Sequence, residues 1–298
     1  MPSKIAAACK DELGIRNCGM GHYPAEEFVK SQWQSRTKST IFLLYRLALA
    51  IFFTAVVVNS IVVAVTPEDW GKYFIYLTHW GIMMCMATSV MGAALVARWY
   101  FHPEYSDKIC NCDDMPRAFK IYWMMHNITL IVSVCITVIY WSILHNEEMP
   151  VDANNILVHA TNCVFMFIDL IIVAYPVRIW HVVQPIGFGL FYCLFSVIYF
   201  LFDGTDKKGR PYIYNVLDWR TPGPAMVTVV GTIVLAVIVQ VLMFFAYKLR
   251  SFVYLRYFNP KPILPTNSTI NLQQGKSCDG ISMVYGNDNR GYTPSEKY

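Results

Sequence analysis

"YFIYLTHWGIMMCMATSVMGAALVA" occupies residues 73–97 and contains no Asp, Glu, Lys or Arg. About 20 helical residues cross the roughly 30 Å hydrocarbon layer of a bilayer. The run is continuously apolar rather than alternating, and about twice too long for a barrel strand. It therefore reads as a membrane-spanning helix. Thr78 and His79 fall in its second turn, where lipid favours apolar side chains. Either they are packing contacts near a membrane surface, or they belong to a reactive site.

The same reading extends outward to five further runs, at 41–65, 121–144, 156–175, 183–202 and 225–247. The expected fold is an all-α, polytopic transmembrane helix bundle of six spans. The 298 residues are 55% hydrophobic and only 15% charged, where a soluble domain carries about 25% charged residues. The formal net charge of +4 gives no case for a nucleic-acid partner; the bilayer is the expected partner. Residues 1–40 hold several charges and no apolar core, so no cleaved signal peptide is expected. The first span then directs insertion at the endoplasmic reticulum. Residues 1–40 read as a cytoplasmic segment, 41–250 as the membrane domain and 251–298 as a disordered cytoplasmic tail suited to unidentified protein partners.

Orientation follows the basic residues. With the N-terminus cytoplasmic, 18 of the 24 Lys and Arg fall on the inner side, so both termini are expected there. Trp70, Tyr73, Trp99, Trp123, Trp141, Trp180 and Trp219 fall near span ends, as interfacial aromatics do. None of the nine cysteines falls in an expected outer loop, and reduced thiols are expected on the cytoplasmic side. The pair Cys110 and Cys112 could carry a lipid or bind a metal. No P-loop, dinucleotide or zinc-protease motif is present; neither metal nor organic cofactor is implied. The sequon at 267–269 lies in the tail and is not expected to be used. The small residues of 87–97 read as helix-packing surface.

Ionisable residues inside spans are costly and functional by default. At a rise of about 1.5 Å per residue, Arg46, His126 and Asp169 reach similar depth near the inner leaflet, with Gln240 at comparable depth. An Arg46–Asp169 pair with His126 beside it would hold these charges, either as packing or as a proton pathway. Near the outer leaflet, Thr78 and His159 share a depth on different helices, as a nucleophile and general base require. His79, His145 and Asp203 lie in the same outer layer. Interhelical hydrogen bonding is the alternative for Thr78 and His159.

The segments "FVKSQWQ" (28–34), "FLLYR" (42–46), "YLTHW" (76–80), "HATNCVFMFIDL" (159–170), "YPVRIWH" (175–181), "FDGT" (202–205) and "YIYNVLDWR" (212–220) resemble the rolling stone family of insects and other invertebrates. The resemblance covers about residues 28–258. It implies a multi-pass plasma-membrane protein associated with myoblast fusion in muscle development. The outer loops are short and mostly polar and hold no evident fusion peptide, so an accessory role rather than that of a fusogen is expected. "YLT" and the histidine opening the fourth span are also similar to the androgen-induced integral membrane hydrolases. That resemblance implies Thr78 as nucleophile and His159 as base in cleaving fatty-acid esters. His79 and Trp80 depart from that family's pattern. A proton-coupled transporter built on the Arg46–His126–Asp169 layer is a third reading; no broken helix is visible in the sequence.

Overall fold

The apolar runs become helices because a helix satisfies all of a segment's backbone groups internally, as hydrocarbon requires. The computed structural model describes residues 12, 14–66, 69–112, 114–145 and 151–258. The tail beyond 258, with its sequon, lies outside the described residues. Helix α1 (Thr40–Ala64) starts at Ser39, whose hydroxyl accepts from the Phe42 amide at 3.2 Å. This N-cap satisfies one of the free donors of the first turn. Helix α2 (Leu77–Phe101) leads into the short α3 (Pro103–Cys110), which opens on a proline, as first helical turns favour. Helix α4 (Arg117–Ile139) ends in a π-helical turn, Tyr140–Leu144. Helices α5 (Ala153–His159), α6 (Thr161–Ile172), α7 (Val183–Leu201) and α8 (Pro222–Tyr257) complete the bundle. The described residues hold no strand beyond one bridge between Ser31 and Val173.

Five helices are unbroken and long and apolar enough to cross a membrane. The sixth run is not the single span that the sequence predicts over 156–175. It is two helices, α5 and α6, meeting at 44°. Hydropathy does not register the break, because side chains supply its bonds. Thr137 of α4 donates its hydroxyl to the His159 carbonyl at 2.7 Å. Thr161 donates to the Leu157 carbonyl at 2.7 Å and the Asn162 amide to that of Val158 at 2.8 Å. Side chains that occupy backbone carbonyls bend helices in this way. Two other bounds also shift. Trp70–Tyr73 form a separate 3-10 turn, so the second span starts at Leu77 rather than 73. The last helix continues through Lys248, Arg250 and Arg256 to Tyr257, past the apolar run that defined it.

Helix α4 is the hub and packs against α2, α6, α7 and α8. Gly92, in the small-residue stretch of α2, faces it: a Cβ there would lie 2.9 Å from the Tyr122 hydroxyl. At the end of the bundle where the N-terminal segment lies, here the basal end, Phe28 is buried among Trp99, Phe119, Trp123 and Tyr175. Its ring stacks on Tyr175 at 4.8 Å and 6°. The same segment ends helix α6. Ser31 and the Gln32 amide donate to the Ile172 carbonyl, both at 2.9 Å, and the Trp33 indole to Ile171 at 2.8 Å. Arg250 completes the cap through the carbonyls of Leu170, Ala174 and Tyr175, at 2.6, 3.1 and 3.0 Å. The last carbonyls of a helix need such partners.

Cys110 at the basal end is disulfide-bonded, which corrects the expectation of reduced thiols throughout. The bond removes the thiolate that a lipid or metal would need at this position.

Candidate functional site

Near the basal end, the Arg46 Nη1 donates to both Asp169 oxygens, at 3.0 and 3.1 Å. His126 Nε2 lies 3.0 Å from Asp169 Oδ2, and the Tyr45 hydroxyl donates to Oδ1 at 2.8 Å. Arg46, His126 and Asp169 are each no more than 2% exposed. The structure thus joins the three residues that depth alone brought to one level. The guanidinium also lies over the Phe42 ring at 5.0 Å and the Tyr122 ring at 5.9 Å, a cation–π setting suited to a desolvated arginine.

Gln240 does not bond to this cluster. Its amide donates to Asn127 Oδ1 at 3.0 Å and to the Arg178 carbonyl at 2.8 Å. Asn127 in turn donates to the His181 carbonyl at 3.0 Å. This second network fastens α4 and α8 to the turn Ile179–Val182. Arg178 itself donates to the carbonyls of Gly19 and Gly21 at 3.0 and 2.9 Å, tying the N-terminal segment to the same turn.

At the opposite, distal end lies a chamber of about 140 Å³ between α4, α7 and α8. Thr78 and Tyr214 stand on its wall, with Ile131, Cys135, Gly189 and Ala236 among the other lining residues. Thr78 is hydrogen-bonded to Tyr214, whose hydroxyl accepts from the Leu77 amide at 3.0 Å. Burial, partly offset by these bonds, pushes the Tyr214 hydroxyl up to about 12. It therefore stays protonated and cannot serve as a base near neutral pH.

His159 is elsewhere. Its ring lies flat on Tyr140, 3.4 Å between centroids at 4°, and its Nδ1 is buried without a hydrogen-bond partner. No hydrogen bond joins Thr78 to His159 among the described residues; Tyr140, one face against His159, lines the chamber with Thr78. His79 is turned away from the chamber. Its Nδ1 lies 2.5 Å from the Tyr73 carbonyl and its ring stacks on Tyr73 at 3.8 Å. His145 packs beside Trp141 at 4.8 Å, and both His79 and His145 lie within electrostatic reach of His159. Asp203 stands exposed at a turn with φ 55°, a left-handed conformation that Asp tolerates better than most residues, and contributes nothing to the chamber.

Sequence reasoning missed Tyr214, Tyr140 and Thr137. The one available signal was that "YIYNVLDWR" places two tyrosines in a loop beside the outer ends of the spans.

The loop between α7 and α8 closes over the distal end. Lys207 donates to the Ala64 carbonyl at the C-terminus of α1, and the Trp219 indole to Ser196 at 3.1 Å. Asp206 holds the turn through the amides of Lys208 and Arg210, both at 2.8 Å.

No solved structure matches the chain. A family profile described as "Protein rolling stone" matches residues 3–261. "Protein rolling stone" of Drosophila melanogaster is 37% identical over 246 residues, which is 80% of this chain and 88% of the relative. The chain is a membrane protein and belongs to the rolling stone family.

Proposed function

We propose that the protein acts at the plasma membrane as an accessory component of myoblast fusion, organising partners or bilayer rather than inserting into the opposing membrane. What supports this reading is membership of the rolling stone family, the family whose resemblance implies the association with fusion. The observation that favours an accessory role is the distal loop. A fusogen needs an apolar segment it can release, and this loop is pinned to three helices through Lys207, Tyr214 and Trp219. Expressed alone in non-fusing cells, the protein is expected to produce no cell merger. Its depletion from fusing myoblasts is expected to lower the number of multinucleate cells. Merger in the first assay overturns the accessory role, and unchanged fusion in the second overturns the association.

A second reading, an intramembrane threonine hydrolase of fatty-acid esters, is favoured by the position of Thr78 on the wall of an apolar chamber. It requires Tyr214 to release Thr78 and Tyr140 to uncover His159. If it holds, a fluorophosphonate probe labels the wild type and labelling disappears in Thr78→Ala. A folded wild type that stays unlabelled removes this reading.

A further inference from the structure

We propose that the chamber between α4, α7 and α8 houses one acyl chain of a bilayer phospholipid. This rests on neither functional reading above: a chain can reside there whether or not Thr78 reacts.

The chamber cannot hold water well. The polar side chains on its wall already have partners. Thr78 is bonded to Tyr214, and Tyr140 to Asn155. Tyr192 donates to the Ile75 carbonyl at 2.8 Å, Thr228 to Pro224 at 3.3 Å and Thr232 to Thr228 at 2.9 Å. A buried water needs about two to four polar partners, and the remaining wall is aliphatic, aromatic or thiol. Left empty, the chamber would cost its lining the dispersion contacts that fill protein interiors. Hydrocarbon is the occupant that the surroundings supply. Leu190 lines the chamber and is 47% exposed on the lipid-facing side of α7, which gives a chain a way in. An apolar cavity of about 150 Å³ accepts benzene. The end of an acyl chain therefore fits, whereas the fused rings of a sterol do not.

Two glycines on α7 make the test. Gly189 lines the chamber and Gly187 is exposed outside it; a Cβ at either meets nothing within 4 Å. The protein is placed in nanodiscs containing phosphatidylcholine with a diazirine at the end of one acyl chain, irradiated, and the adducts are mapped. Adducts are expected on the buried residues Ile131, Cys135 or Ala236, lost in Gly189→Phe and retained in Gly187→Phe. Adducts confined to exposed residues such as Phe191 and Leu194 in the wild type overturn the proposal, and this map decides even if Gly189→Phe does not fold. Adducts that persist equally in both variants overturn it too. Displacement by free palmitate, but not by unlabelled phosphatidylcholine, would overturn the phospholipid assignment in favour of a free fatty acid.

Discussion

Asp169→Ala is expected to destabilise the protein by about 3–5 kcal/mol, the usual cost of stripping one partner from a buried ion pair. The substitution removes the acceptor for Arg46, Tyr45 and His126 at once. It leaves a guanidinium in the bundle with aromatic faces but no anion. Reversible unfolding in bicelles would read the loss. The double variant Arg46→Met, Asp169→Leu is expected to recover part of it, because apolar replacement of a buried pair removes the stranded charge while Tyr45 and His126 still lack their acceptor. A double variant as unstable as the single would show that the loss does not come from the stranded guanidinium. The same pair of proteins addresses the transporter reading. If the layer carries protons, the double variant is folded but conducts none in proteoliposomes; equal flux in wild type and double variant excludes the layer as a path.

Arg250→Ala is the second large effect, at about 2–3 kcal/mol, since hydrogen bonds to a charged group each matter more than neutral ones. Three carbonyls lose their donor together: Leu170, Ala174 and Tyr175. A cation near the C-terminus of α6 is also favoured by the helix dipole. Arg250→Lys is expected to restore less than half, because a single ammonium cannot reproduce the planar fork that reaches carbonyls in different directions. Hydrogen exchange localises the effect. Faster exchange is expected at the Gln32 amide, which bonds the neighbouring Ile172 carbonyl. Protection unchanged at Gln32 in a destabilised variant would mean that Arg250 and the N-terminal segment cap α6 independently.

Depth along a helix was legible in the sequence and direction around it was not. Counting residues from span ends brought Arg46, His126 and Asp169 to one level, and opposite charge then chose their pairing. The same counting brought Thr78 and His159 to one level. No charge fixed their azimuth, so one faces Tyr214 and the other Tyr140. Gln240 shows the same limit: it lies at the right depth but serves Asn127, one residue away from His126. Partners that are backbone carbonyls leave no pattern in composition. Arg250, Trp33 and Thr137 could therefore not be assigned before the chain was seen folded. The break at Ala160 was hidden for the same reason, since its bonds come from hydroxyl and amide side chains inside an otherwise apolar run.

The cap on α6 also sets an order of synthesis. Ser31 bonds a carbonyl 141 residues further along the chain. At about 5–20 residues per second, the ribosome needs roughly seven to thirty seconds to make that partner. Throughout this interval the first segment waits without its acceptor, and Phe28 without the stacking surface of Tyr175. Arg250 arrives later still. Residues 28–33, made before the helix they cap, are thus locked late, when they and Arg250 meet on the same helix end.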